Sequence, residues 1–318
     1  MGKLTVVDLF SGGGGFARGF KKAGFNIVLA DDNDEACGET YKLNFPEAMV
    51  LVEDIRDVSG RDIKYLLGFQ PDIIIGSPPC EPFTGANPNR EPDPLDRLYR
   101  DALGILTLEF IRIVGEVRPR IFVMENVPPL AEGPLRNVIR REFEYVGYSR
   151  VFFNILRAEN FGTPSRRTRL FISNVVIEPT PSSRYITVEE ALRDLPPPEN
   201  SYIPNHEATP LSERRLKKIA RVRVGKAMYY YQGASKKLPN FIRLDPSDIA
   251  PTVLGSSRFI HPYEDRLLTV REQARLMGYP DDHVFVGGRD QQYNQVGESV
   301  PPPLSYAIAS HILKIYLL

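Results

Sequence analysis

Cysteine is scarce in this chain of 318 residues: Cys37 and Cys80 are the only two. That excludes a disulfide framework and suits a reducing, intracellular setting. An excess of one charge is missing as well. Forty basic side chains balance forty acidic ones, for a formal net charge of zero. No chain-wide basic field exists, so any contact with nucleic acid has to depend on a local face. Histidine is sparse too. His206, His261, His283 and His311 are scattered without metal-ligand spacing, so no metal is expected. No apolar run approaches the ~18 residues that span a bilayer. The start, MGKLTVVDLF, enters a strand pattern without a signal-peptide layout. A soluble, cytoplasmic protein without membrane contact is the expectation. No internal repeat or low-complexity tract is present.

What is there is an alternation of short apolar runs and helical patterns. The runs are LTVVDLF (4–10), NIVLADD (26–32), MVLVEDI (49–55), DIIIGS (72–77) and RIFVMENV (120–127). Helical spacing lies between them, at 16–25, 34–45 and 98–117. Continuous apolar strands alternating with helices predict an α/β fold whose parallel sheet is covered on both faces. In such sheets ligands bind beyond the carboxyl ends of the strands. Asp8, Asp32, Asp54, Cys80 and Glu125 all fall at such ends. After residue 178 the texture changes. VIEPTPSSRY and DLPPPENSYIPN are proline-rich and suit linkers. Helical spacing returns at 266–280, and a proline-started helix closes the chain.

DLFSGGGGFARGF sets glycines between a strand and a helix. A tight turn explains this as well as a nucleotide loop does. Asp32 favours the loop: it ends the second strand 24 residues after Asp8, where a carboxylate can bind a ribose diol. Asp54, at the end of the third strand, is placed to accept from an adenine amine. An adenosine is therefore expected. The spacing does not separate NAD from S-adenosylmethionine. The loop departs from GxGxxG and no second nucleotide half follows, which disfavours an NAD oxidoreductase.

Cys80 follows two prolines, in GSPPCEPFTGAN. A free cysteine is usually a small core residue. Prolines fix φ, however, so this turn can hold a thiol at the rim of a site, as a nucleophile requires. Glu125 follows the apolar IFVM. It reads either as an exposed strand-end acid or as a carboxyl that protonates or hydrogen-bonds a substrate. Arg167 and Arg169 alternate in FGTPSRRTRLFI, so on a strand they share a face. They suit a surface ion-pair strand or a clamp on an anion or base edge.

Taken together these stretches resemble the cytosine-5 methyltransferase family, which makes 5-methylcytosine with S-adenosylmethionine. The matches occur in family order: DLFSGGGGFARGFKKAGF, ADDNDEACGETYKLNFP, EDI, GSPPCEPFTGAN, MENV, FGTPSRRTRLFI, RLLTVREQARLMGYP and VGESVPPPL. The resemblance implies a Rossmann-like methyltransferase sheet with a smaller target-recognition domain. The boundaries would be 1–178 for the catalytic and cofactor-binding domain, 179–265 for target recognition, and 266–318 for a brace and a returning terminal helix. It implies Cys80 as the nucleophile at cytosine carbon 6, Glu125 at ring N3 and the exocyclic amine, and Arg169 with Arg167 on the O2 side. In a duplex the base would first be flipped out. The cofactor would be S-adenosyl-L-methionine, leaving S-adenosyl-L-homocysteine. Its pocket would use Asp8, Phe10, Ser11, Gly12, Gly13, Gly15, Asp32, Asn33, Asp54, Ile55, Ser77, Pro79, Leu106, Glu298 and Ser299. Four positions depart from the family pattern. Glu81 and Ser165 each replace a glutamine, and Glu298 replaces an asparagine. Asn33 stands where an aromatic or aliphatic residue often packs on the adenine.

The segment 212–237 carries nine Lys or Arg against one Glu, with three consecutive tyrosines. A solvated amphipathic helix would explain the charges. Basic residues interleaved with tyrosines also suit phosphate contacts and base stacking. Arg214, Arg215, Lys217, Lys218, Arg221, Arg223, Tyr229 and Tyr230, with Glu81 beside the nucleophile, are the candidates for touching nucleic acid. Double-stranded DNA is the expected partner. Structured RNA on the same fold is the alternative, and a catalytically silent nucleic-acid-binding partner is a third reading. A monomer is expected, since no unpaired hydrophobic stripe stands out. A cognate restriction endonuclease would be encoded elsewhere.

Overall fold

The computed structural model describes residues 3–317. Ten strands and eleven α-helices are present among them. The first part of the chain forms β1 (Thr5–Leu9), α1 (Gly15–Lys22), β2 (Asn26–Asp31), α2 (Glu35–Asn44), β3 (Met49–Leu51), α3 (Gly60–Leu67), β4 (Ile73–Gly76), α4 (Pro94–Tyr99), α5 (Leu106–Val117), β5 (Ile121–Asn126), α6 (Gly133–Tyr145), β6 (Phe152–Arg157) and β7 (Thr168–Ser173). The second part forms α7 (Val188–Leu192), α8 (Glu213–Ile219), β8 (Ala227–Gln232), β9 (Lys237–Arg243), β10 (Phe259–Ile260), α9 (Val270–Leu276), α10 (Arg289–Glu298) and α11 (Pro302–Ile312).

The large sheet has the order β3-β2-β1-β4-β5-β7-β6, and the pairs from β3 to β5 are parallel. Only β7 runs against its neighbours. The order reverses at β1–β4, the switch point at which such sheets leave a crevice. Ile73, Ile74 and Ile75 are fully buried because helices cover both faces. One face packs Val7, Leu29, Ile74 and Phe122 with Phe110 and Val114 of α5 and Phe143 of α6. The other packs Val6, Ile27, Ile75 and Val123 with Phe20 of α1 and Ile308 of α11. This is the α/β class expected from the continuous apolar strands. No described helix is long and apolar enough to cross a membrane.

Two local expectations change. The helical pattern at 98–117 is broken: α4 ends at Tyr99 and α5 starts at Leu106. Asp101 Oδ1 accepts from the N–H groups of Leu103 and Gly104, which favours a turn over continued helix. In 212–237 helix covers only Glu213–Ile219, and the tyrosines lie on β8. Strands β8, β9 and β10 form a second, three-stranded sheet. It has a small core of its own, with Ile219, Ile260 and Leu267 buried.

Candidate active site

The glycine turn builds one half of the crevice. Phe10 leaves β1 with φ 54°, a left-handed conformation that a bulky residue adopts only where its surroundings hold it. Gly12 and Gly14 continue at φ 50° and 79°. Gly14 N–H donates to Ser11 O at 2.9 Å, and Gly12 N–H donates to Asp32 Oδ2 at 2.8 Å. The second oxygen of Asp32 accepts from Asp34 N–H at 3.0 Å. Asp32 thus ties the turn after β1 to the end of β2. Burial pushes its carboxyl above the ordinary range. Asp8 is buried beneath and accepts from Tyr41 Oη at 3.1 Å. Ile55 is buried, while Asn33 is exposed. Asp54 is spent on a neighbour: Arg56 Nη2 donates to it at 2.5 Å and holds it down at about 2.

The far wall of this half comes from the end of the chain. Ser299 follows α10, and Tyr279 Oη donates to its hydroxyl at 2.7 Å. A β-carbon on Gly15 would collide with that pair, so only glycine permits the approach. His283 Nε2 donates to Gly13 O at 2.7 Å. Burial pushes that imidazole down to about 3, so it stays neutral.

The other half is built on β4, β5 and β7. Cys80 follows β4 through Ser77, Pro78 and Pro79. Its carbonyl accepts from Phe83 and Thr84 N–H, both at 3.0 Å, which closes a tight turn behind the thiol. Asn126 Nδ2 donates to Pro78 O at 3.1 Å and anchors this turn to the end of β5. Glu125, one residue earlier, is 5% exposed. Arg169 on β7 donates from Nε to Glu125 Oε1 at 3.0 Å. In the antiparallel register Glu125 faces Phe171 and Asn126 faces Leu170, so β7 brings Arg169 past the end of β5.

Arg167 precedes β7 and is 2% exposed. Its Nη1 donates to Val253 O at 2.8 Å and to Gly297 O at 2.9 Å. Its Nε finds no protein partner among the described residues. Burial, then the nearby Arg169, pushes this guanidinium down to about 9. Arg167 therefore joins three segments while Arg169 faces Glu125. Burial pushes the Cys80 thiol up to about 12; the Glu81 charge adds to this and the Arg169 charge opposes it. Ser165, in place of the expected glutamine, is buried and bridges in parallel to Ala250.

The basic candidates gather on α8 and the loop after it, beside the second sheet. Lys218 lies 5.9 Å over the ring of Tyr229, and Arg215 lies 5.6 Å over Phe241. A groove between α8 and β8 is lined by Lys218, Arg221, Arg223, Lys226 and Tyr229. Arg214 and Lys217 line an adjoining one with Arg221. Tyr230 is 63% exposed. The β8–β9 hairpin tip reaches the nucleophile's loop, where Ala234 N–H donates to Gly85 O at 2.9 Å. Sequence reasoning missed Asn126, His283 and Tyr279. Asn126 was visible beside Glu125 in MENV, whereas the other two act through contacts distant in sequence.

A crevice at the switch point of a mostly parallel sheet, a glycine turn held by a strand-end carboxylate, and a thiol beside a buried Glu–Arg pair define a Rossmann-like transferase. The C-5 cytosine-specific DNA methylase family matches residues 4–314. The chain is 48% identical over 316 residues to M.MJ0563P of Methanocaldococcus jannaschii, a candidate type II methyltransferase, covering 98% of this chain and 99% of the relative. It is 36% identical to the type II methyltransferase M1.HphI of Haemophilus parahaemolyticus, covering 98% and 87%. A crystal structure of a candidate DNA modification methyltransferase from an Escherichia coli prophage superposes with TM-score 0.78 at 25% identity, covering 98% and 99%. The fold is shared with Schizosaccharomyces pombe Dnmt2, at TM-score 0.67 and 18% identity over 99% and 100%. The chain belongs to the C-5 cytosine-specific DNA methylase family and is a DNA (cytosine-5) methyltransferase.

Proposed function

We propose that the chain methylates carbon 5 of a cytosine flipped out of duplex DNA, through a covalent bond between Cys80 Sγ and cytosine carbon 6. The observation that carries this reading is the convergence of Cys80, at the end of β4, with the Glu125–Arg169 pair, 3.0 Å apart. Carbon 5 of cytosine is a weak nucleophile. Addition of the thiolate at carbon 6 makes carbon 5 enamine-like. Glu125 would hydrogen-bond or protonate ring N3 as negative charge develops there. Arg169 holds Glu125 and faces the O2 side. Arg167 positions the segments around them. Once carbon 5 has taken the methyl group, water removes the carbon 5 proton; that C–H electron pair re-forms the ring double bond, and the carbon 6–sulfur bond breaks with its electrons returning to Cys80 Sγ.

The methyl donor would be S-adenosylmethionine, whose sulfonium supplies an electrophilic methyl group. The cradle fits it. A side chain at Gly15 would fill the space between the turn and Ser299, and Gly12 has no atom within 4 Å of where a β-carbon would stand. Asp32 would hold the ribose, and Phe10 and Ile55 the adenine. Ser11, Gly13, Ser77, Pro79, Leu106 and Ser299 would line the rest. The basic grooves on α8 and β8 would carry the DNA backbone. The natural partition is a catalytic domain over 1–178, recognition over 179–265, and a brace and terminal helix over 266–318, working as a monomer in the cytoplasm. A cognate endonuclease would share the target site.

The test is transfer of labelled methyl from S-adenosylmethionine to unmethylated duplex DNA, with tRNA in parallel and Cys80→Ala as control. Label on DNA that the variant loses is expected. Label on tRNA alone would overturn the substrate.

A further inference from the structure

We infer that His283 is a positioning residue for the methyl donor: by holding Gly13 O it sets the backbone of the glycine turn that cradles the donor. The inference rests on the methyl-donor reading above.

Gly12, Gly13 and Gly14 give the turn no side chains to hold it, and Gly12 and Gly14 sit at positive φ. Its shape therefore has to be imposed from outside. The N–H groups of Gly12 and Gly14 are taken by Asp32 and Ser11. Gly13 O has no such partner nearby in sequence. The amide four residues on, Ala17 N–H, goes to the Asp8 carboxylate instead. Gly13 is buried, and among the described residues His283 Nε2 is the donor that reaches its carbonyl, at 2.7 Å. A carbonyl has no hydrogen to give, so Nε2 carries the ring proton. Buried Nδ1 has no partner among the described residues. The polar side of this imidazole is thus given over to the glycine turn.

His283 is itself fixed by the strip that carries it. Asn44 on α2 donates to Val284 O at 2.8 Å and accepts from Val284 N–H at 3.0 Å. Asn205 does the same for the next residue, donating to Phe285 O at 2.8 Å and accepting from Phe285 N–H at 2.9 Å. Buried Arg271 donates to Pro280 O at 2.9 Å and to His283 O. Residues 280–286 are therefore clasped between α2 and Asn205, and they form the seat of the turn. The His283 ring lies 4.7 Å from that of Tyr279 and 5.0 Å from that of Phe285. A β-carbon on Gly13 would stand 3.2 Å from Phe285 Cε1. A ring without a donor would fill the same space yet leave a buried carbonyl unpaired, which is destabilising. The turn would then shift towards another partner, and the cradle between Asp32 and Ser299 would change shape with it.

The experiment is calorimetric binding of S-adenosylmethionine to the full chain carrying His283→Phe or His283→Gln, with duplex DNA binding measured in parallel. His283→Phe keeps a ring and drops the donor. It should weaken S-adenosylmethionine about five- to thirty-fold, as expected for a buried carbonyl left unpaired. Duplex binding should change less than about two-fold, because phosphate contacts depend on the basic grooves on α8 and β8. His283→Gln returns an amide N–H at a similar reach and should recover donor affinity to within about three-fold of the unaltered protein. Unaltered donor affinity in His283→Phe, equal losses in the two variants, or joint loss of donor and duplex binding would each overturn the inference. Amide hydrogen exchange on the unaltered protein gives a reading that needs no variant, so a folding defect would not shield the inference. S-adenosylmethionine should slow exchange in residues 280–286 together with residues 9–18. Protection of 9–18 alone would overturn the inference and leave the methyl-donor reading intact. No binding of S-adenosylmethionine by the unaltered protein would instead overturn that reading, and this inference with it.

Discussion

Arg169 Nε donates to Glu125 Oε1 at 3.0 Å, and both side chains are at most 10% exposed. Removing one partner from a pair this buried leaves the other charge without compensation. Arg169→Ala should therefore destabilise the fold by about 3–5 kcal/mol, read by urea denaturation. Glu125→Gln keeps an acceptor for Arg169 and should cost much less, while single-turnover methylation falls by about 10²-fold or more. Equal stability losses in the two variants would show that the pair has no electrostatic role in holding the site.

Cys80 and Glu81 are neighbours whose negative charges repel. Burial and Glu81 together hold the thiol at about 12, so very little thiolate exists at neutral pH in the free enzyme. Glu81→Gln removes the second influence and should lower the thiol pKa. Iodoacetamide alkylation of Cys80 at pH 8 should then run faster by about three- to ten-fold, scaling with the thiolate fraction. Cys37 is the internal reference, because burial holds it higher still. An unchanged rate ratio between the two cysteines would remove Glu81 as a brake on the nucleophile.

The contrast between legible and illegible parts follows from contact range. Ile73–Gly76 reads as a strand because its residues are buried on both faces and leave an unbroken apolar run. The crevice was legible for the same reason: Asp32, Cys80 and Glu125 interrupt or follow such runs. Strand β6 escaped notice because it is an edge strand, with Ile155 54% exposed and no buried face to impose a pattern. The second sheet was hidden because β8 pairs with β9 through registers such as Tyr229 opposite Asn240, which no local periodicity announces. Arg167 reads as a partner of Arg169 in sequence. Its carbonyl acceptors lie 86 and 130 residues away, so only the fold reveals its bracing contacts.

Asp31 gives stability a pH dependence whose sign is fixed by its environment. The side chain is 2% exposed, its Oδ1 has no partner, and burial followed by the Asp32 charge raises it to about 7. Its unfolded value is near 3.8. Between those values the folded state holds a proton that the unfolded chain has released. Its contribution is therefore fully present below about 4 and is lost as pH rises towards 7. Asp31→Asn should remove this slope and stabilise the protein at pH 8 by about 2–4 kcal/mol. Denaturant midpoints at pH 5 and pH 8 check it. A destabilised variant at pH 8 would mean that the ionised carboxylate is compensated after all.

Gly19 bears on how the terminal helix returns to the sheet. Helix α1 meets α11 so closely that a β-carbon on Gly19 would overlap Ser305 Oγ and the backbone nitrogen of Tyr306. Ser305 Oγ also donates to Phe16 O across the same seam. In an isolated helix Gly19→Ala would be favourable by about 1 kcal/mol. Here the clash is with backbone, which cannot rotate away, and overpacking costs about 1–3 kcal/mol or more. The net effect should be destabilising. It should also disturb Ser299, which α11 carries towards the glycine turn three residues before its start. Weaker S-adenosylmethionine binding should therefore accompany the lower denaturation midpoint, whereas DNA binding through the grooves on α8 and β8 should be spared. Loss of stability without loss of donor affinity would show that the seam holds the fold but does not set the pocket.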